Sequence, residues 1–353
     1  MASIPVRRTS SPRPRPAEED LGFGRYLTDH LFQAEWSPGE GWHGARVAPY
    51  AALSLDPAAA ALHYGQCIFE GLKAFRRPGG GMALFRPRAH AERFVRSARR
   101  LAMPPLEPEP LLEGIRALLR EDGSWMPSLP GTSLYVRPLM FATEPFLGVR
   151  AARSYTALVL LSPVGGYFAA ERPLRLWVER ARARAARGGL GAAKTSANYV
   201  ASLLAAEEAK ARGFDQVLWL DDAERRWLEE IGTMNVFVRL GETLVTPPLS
   251  APILAGVTRD SIIALARARG MAVEERPVAL DELQAASRAG TLREVFGTGT
   301  AAVVSAISEL AWEEGTIRLP APGPDGAGER LRAELAAIQR GEAPDLHGWL
   351  EPA

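Results

Sequence analysis

Cysteine is almost absent from this 353-residue chain. The single thiol, Cys67, excludes an intrachain disulfide and fits a reducing, cytoplasmic setting. Histidine is sparse as well. His30, His43, His63, His90 and His347 are scattered, with no pair at metal-ligand spacing, so no protein-built metal site is expected. A surplus of charge is missing too. The formal net charge of +1 leaves no basic footprint for nucleic acid. No apolar run approaches the ~18–20 residues of a membrane helix. There is no internal repeat. What remains is a chain long enough for two domains, each with its own core.

Residues 1–20 carry four arginines and four prolines with almost nothing apolar, and they read as a disordered, solvated arm. Its acid-free start faintly resembles a transit peptide, but the prolines break the helix such a peptide needs. A first domain is expected over 21–163, an interdomain loop over 164–173, and a second domain over 174–353. In the first, the turn 77–81 predicts a hairpin leading to a strand at 83–85. A basic amphipathic helix is expected over 88–101, with Phe94, Val95, Ala98 and Leu101 on one side. Residues 133–138 and the apolar run 156–161 read as strands. In the second, strands are expected at 174–179, 216–220, within 227–238, at 242–246 and at 293–296, with a tight turn at 297–301. Helices are expected from Tyr199 to Arg212, from Thr258 to before Gly270, from a cap at Asp281 to Gly290, and from 329 to 340.

Lys194 stands out in Gly-Gly-Leu-Gly-Ala-Ala-Lys-Thr-Ser-Ala-Asn-Tyr (188–199). Small neighbours let a bulky planar group approach the amine, as a Schiff-base lysine requires. Two other readings compete. Gly188 to Thr195 is one residue away from a phosphate-loop pattern, and Val217–Asp221 resembles a magnesium-binding strand end. Ala193 stands where that loop needs glycine, and no buried strand precedes Gly188. A plain surface lysine is the other reading.

Covalent work with pyridoxal phosphate needs an amine, an acid beside the ring nitrogen, phosphate donors and a partner for the phenolic oxygen. Candidates for all four exist. The segments Thr28–His30, Leu62–Phe75, Leu84–Pro87, Gly131–Pro138, Glu230–Asn235, Val245–Pro248 and Glu294–Ala301 together resemble the branched-chain amino acid aminotransferases, of the fold-type-IV, class IV pyridoxal-phosphate family. The resemblance covers about Phe23 to the C-terminus. It implies a two-domain α/β fold (α+β), with a smaller N-terminal domain, a larger C-terminal pseudobarrel and the cofactor pyridoxal 5′-phosphate in the cleft between them.

By that resemblance Lys194 is the Schiff-base lysine and proton carrier, and Glu230 is the acid beside the pyridine nitrogen. Arg93, Val257, Thr258 and Thr300 hold the phosphate. Tyr199 meets the phenolic oxygen. The substrate pocket takes Phe23, Tyr64, Phe69, Tyr135 and Tyr167. Leu147 and Val149 reach in from a second subunit of a homodimer. Arg137 meets the second carboxylate of glutamate or 2-oxoglutarate, while Thr233 and the Ala301 N–H hold the α-carboxylate. The implied reaction is ping-pong transfer of nitrogen from leucine, isoleucine or valine to 2-oxoglutarate, with the corresponding 2-oxo acids as products. D-amino acid aminotransferase and aminodeoxychorismate lyase are the related alternatives. One departure concerns the two glycines usual before Asn198. Here they are Ser196 and Ala197, which would be strained wherever φ > 0 is needed. A Cys-x-x-Cys switch found in some relatives is replaced by Ala302 and Ser305.

Overall fold

The computed structural model describes residues 4–165, 172–321, 323 and 326–353. The chain forms two compact units. The first takes the described chain through residue 165, and also residues 193–196 and 339–353. The second domain expected over 174–353 therefore gives up two segments to the first.

In the first unit, β1 (His30–Ser37), β2 (Gly41–Pro49), β3 (Cys67–Phe69), β4 (Leu72–Arg76), β5 (Met82–Phe85), β6 (Ser133–Ala142) and β7 (Tyr155–Val164) share one sheet with Leu350–Pro352. Its order is 350–352, β5, β4, β6, β7, β1, β2, with β3 also on β6. The expected hairpin at 77–81 joins β4 to β5. The apolar run 156–161 lies inside β7, between β6 and β1, which explains its lack of alternation. A short α1 (Ala60–Tyr64) precedes β3. Helix α2 (Pro87–Arg100) starts with proline at its first turn, where the missing N–H costs nothing. It buries Ala91, Phe94, Val95 and Ala98, and also His90, Arg93 and Ser97. Helix α3 (Pro108–Asp122) supplies Leu111, Leu112, Ile115 and Leu118 to the same core, with Phe32, Val136 and Val159 from the sheet.

The N-terminal arm is not the solvated tail expected from its composition. The Val47 N–H donates to the Pro5 carbonyl at 2.9 Å, and the Arg7 N–H returns a bond to the Val47 carbonyl. The Thr9 N–H donates to Nε2 of buried His30 at 2.9 Å, while His30 Nδ1 lies 2.7 Å from Asp122. The Arg13 guanidinium sits 4.0 Å from the Tyr50 ring centroid. Backbone bonds and cation–π contacts hold the arm where hydrophobic burial does not.

In the second unit, β8 (Leu174–Glu179), β9 (Gln216–Leu220), β10 (Leu228–Ile231), β11 (Met234–Leu240), β12 (Thr243–Thr246), β13 (Val273–Glu275), β14 (Leu292–Gly299), β15 (Val303–Trp312) and β16 (Gly315–Arg318) form a second sheet. The order β10-β9-β8-β15-β14-β11, with β11 pairing back to β10, closes six strands into a barrel. The single helix expected over 199–212 is two, α4 (Ser196–Val200) and α5 (Leu203–Ala211). Helices α6 (Val257–Ala268), α7 (Leu280–Arg288) and α8 (Ala327–Arg340) follow. Ala279, not Asp281, is the N-cap of α7. The turn expected at 297–301 begins later, because Gly297–Gly299 still pair with β15.

Candidate active site

The first unit holds Lys194 by its backbone on both sides. Its N–H donates to Ser97 Oγ at 2.9 Å, and its carbonyl accepts from the Phe69 N–H at 3.0 Å. Thr195 continues the attachment through an isolated bridge to Ile68 and a 2.7 Å bond from its hydroxyl to the Cys67 carbonyl. The amine stands 5.1 Å from the Phe69 ring centroid. Ser196 and Ala197 lie outside the left-handed region, so the replacement of glycine there brings no backbone strain.

Arg93 sits one helical turn from both His90 and Ser97 on α2. Its Nε and Nη2 donate to buried Glu70 at 2.6 and 2.9 Å, a bidentate pair. Burial would raise the Glu70 carboxyl, but Arg93 and His90 beside it outweigh burial and hold it far below the usual range. Burial lowers His90 below its ordinary value. Phe23, Phe69, Tyr135 and Arg137 come together in this unit. Phe23 meets Tyr135 edge-on at 4.9 Å between centroids, and the Arg137 guanidinium lies 4.9 Å from the Phe69 centroid. Lys73, directly opposite Tyr135 in the ladder, is buried, and burial pushes its amine down to about 8. Tyr64, Leu147 and Val149 are exposed, and the Tyr64 hydroxyl donates to the Leu147 carbonyl. Tyr167 lies outside the described residues.

The second unit builds its polar cluster around Glu230, which is buried on β10. Its Oε1 accepts the Leu254 N–H at 2.9 Å and faces the Asn235 amide at 3.4 Å. Its Oε2 lies 2.8 Å from Arg184 Nε, an ion pair by distance whose N–H does not aim at the oxygen. Arg184 also donates to the Pro252 carbonyl. The neighbouring Glu229 behaves differently. Burial pushes it up to about 8, with Glu230 adding and Arg184 opposing. Arg184 therefore pairs with Glu230 while its charge bears on both acids.

Val257 and Thr258 open α6, with Gly256 as N-cap. A Cβ on Gly256 would overlap Asn235 Oδ1, so the backbone there comes as close as glycine alone allows. Thr300 and Ala301 form the turn after β14, beside Thr298, whose buried hydroxyl has no partner among the described residues. Thr233 is exposed in the turn after Gly232. Tyr199 is half-buried in α4, its carbonyl accepting from the Ser202 hydroxyl at 2.7 Å.

The phosphate-loop reading fails on geometry. No strand leads into Gly188, and Asp221 accepts four backbone N–H groups, from Ala223, Glu224, Arg226 and Trp227. Among the described residues no group of three or more metal-ligating side chains occurs, and no helix is long and apolar enough to cross a membrane. Sequence reading missed Arg184, Glu70, His90 and Ser97. Glu70 was within reach, as it lies inside the motif that carried the resemblance. Arg184 sits in a run of alternating alanine and arginine that looks like solvated surface.

A family model described as amino-transferase class IV matches residues 67–310. Branched-chain-amino-acid aminotransferase 2 of Bacillus subtilis (strain 168) is 44% identical over 348 residues, covering 98% of this chain and 96% of the relative. A probable branched-chain-amino-acid aminotransferase of Streptomyces coelicolor is 48% identical over 332 residues, covering 93% of this chain and 91% of the relative. Among solved structures, the branched-chain amino acid aminotransferase from Thermobaculum terrenum in its PLP-bound holo form superposes with a TM-score of 0.71 at 25% identity, covering 92% of this chain and 98% of that one. Near-complete coverage in both directions, together with the lysine and acid clusters, leads to one conclusion: this chain belongs to the class IV aminotransferase family.

Proposed function

We propose that this protein is a pyridoxal-5′-phosphate-dependent transaminase acting between branched-chain L-amino acids and 2-oxoglutarate. The observation that carries it is Lys194, a lysine fixed by its backbone on both sides with its amine beside an aromatic face. The residues present fit the cofactor. The first unit offers the amine and the buried Arg93; the second offers a buried acid beside a cation, the glycine-capped start of α6, and the buried orphan hydroxyl of Thr298.

Bound pyridoxal 5′-phosphate supplies an aldehyde that condenses with amines and a ring that accepts the electrons left when Cα loses a proton. The chain's residues supply the rest. Lys194 takes the proton from the substrate Cα. Glu230, held beside Arg184, keeps the ring nitrogen protonated. Arg93, the N–H groups of Val257 and Thr258, and Thr300 hold the phosphate. Tyr199 bonds the phenolic oxygen. Phe23, Phe69 and Tyr135 shape an apolar pocket. Thr233 and the Ala301 N–H take the α-carboxylate, and Arg137 takes the second carboxylate of the dicarboxylic partner. Such a pocket separates leucine, isoleucine and valine by only about 1–3 kcal/mol per methylene, so all three are substrates.

The working form is a homodimer in the cytoplasm. Leu62, Tyr64, Phe146, Leu147 and Val149 are exposed apolar side chains close together in sequence or bonded to one another, as an interface requires. Tyr64, Leu147 and Val149 would thereby reach the partner's pocket.

The test is chemical. Protein soaked in pyridoxal phosphate and reduced with borohydride gains the cofactor's mass on the peptide containing residue 194, and Lys194→Ala does not. Wild type that stays colourless and unmodified overturns the proposal. Turnover of D-alanine rather than L-leucine with 2-oxoglutarate would favour the D-amino acid alternative.

A further inference from the structure

We propose that Gly71 and Tyr135 determine specificity for the dicarboxylic substrate by fixing the position of Arg137. This rests on the reading of Arg137 given above. Tyr135 and Arg137 are two apart on β6, so their side chains leave the same face of the sheet. Arg137 Nη2 donates to the Tyr135 hydroxyl at 3.0 Å. The guanidinium also lies 4.9 Å from the Phe69 centroid and 5.2 Å from that of Tyr135. Its Nε is buried with no hydrogen-bond partner among the described residues. Two rings and one hydroxyl therefore set where this cation sits, and the hydroxyl is the only one of the three that directs it.

The hydroxyl occupies space that only glycine leaves open. A Cβ on Gly71 would overlap Tyr135 Oη and stand 2.7 Å from Cζ and 3.1 Å from Cε2. Gly71 is not in the left-handed region, so it serves here for room rather than for conformation. It is buried and lies between Glu70, the partner of Arg93, and β4. Displacing the hydroxyl would release Arg137. A dicarboxylate would then meet a wandering cation, whereas a branched-chain acid carries no second anion to miss it. The three residues form a relay in which backbone size at Gly71 selects between the two substrates.

Holoenzyme is used, and each half-reaction is followed separately by cofactor absorbance, one with L-leucine and one with L-glutamate. Tyr135→Phe and Gly71→Ala are expected to lower the glutamate-to-leucine ratio of kcat/KM about tenfold, the scale of a lost charge-assisted hydrogen bond. Should Gly71→Ala fail to fold, Tyr135→Phe reads the same ratio, because it removes only the hydroxyl. Arg137→Gln provides the reference. If it abolishes the glutamate half-reaction while Tyr135→Phe keeps the ratio within about twofold of wild type, this inference is overturned and the reading of Arg137 survives. If Arg137→Gln itself leaves the ratio unchanged, the underlying reading falls and this inference with it.

Discussion

Arg184 and Glu230 form a buried pair, with Nε 2.8 Å from Oε2. The contact joins the segment after β8 to the middle of β10, and it gives the carboxylate a permanent counter-charge. Removing one partner of such a pair leaves a naked buried charge. Arg184→Met is therefore expected to lose about 3 kcal/mol or more of unfolding free energy in urea. Adding Glu230→Gln to that variant should recover part of the loss, since the charge is then gone. A double variant as unstable as the sum of the singles would show that the two side chains act independently.

Glu229 gives a pH dependence whose sign is fixed. Its folded carboxyl is raised to about 8, against an ordinary value of 4.5. Below 4.5 the folded and unfolded chains both carry the proton. Between 4.5 and 8 the unfolded chain has lost it and the folded chain has not, so rising pH favours unfolding. Above 8 the loss is complete. Glu229→Gln removes this slope. It should leave stability unchanged at pH 4 and raise it by on the order of 1–3 kcal/mol at pH 8. Equal effects at both values would mean that the carboxyl ionises normally.

The arm makes a third test. If residues 5–15 hold through the Val47 ladder, the His30 acceptor and the Tyr50 stack, deleting residues 1–20 should lower unfolding free energy by about 2 kcal/mol. Unchanged melting of the truncated chain would mean that the arm rests on the domain without stabilising it.

Some of this was legible in the residues and some was not, for definite reasons. Helix α2 and strand β7 were readable because each carries its own signal, an apolar face with a period near 3.6 in one case and an unbroken apolar run in the other. The arm was misread because its contacts are backbone bonds and arginine faces, which composition does not reveal. Helix 199–212 was read as continuous because nothing in its sequence marks the break at Ala201 and Ser202.

The same division holds within the site. Lys194 and Glu230 stood out by motif. Ser97 and Arg184 did not, because each matters through a partner far away in sequence. Ser97 lies 97 residues from Lys194, and no local pattern encodes that bond. The strain feared at Ser196 and Ala197 is absent because helix α4 begins there, a fact of backbone path rather than of residue type.

The strand at 350–352 lies on the outer edge of the first sheet and pairs with β5. During synthesis, β5 has an open edge until residues 350–352 emerge, although its other neighbour, β4, is available almost at once. An interrupted chain would thus display a bare, adhesive strand at the margin of an otherwise finished sheet.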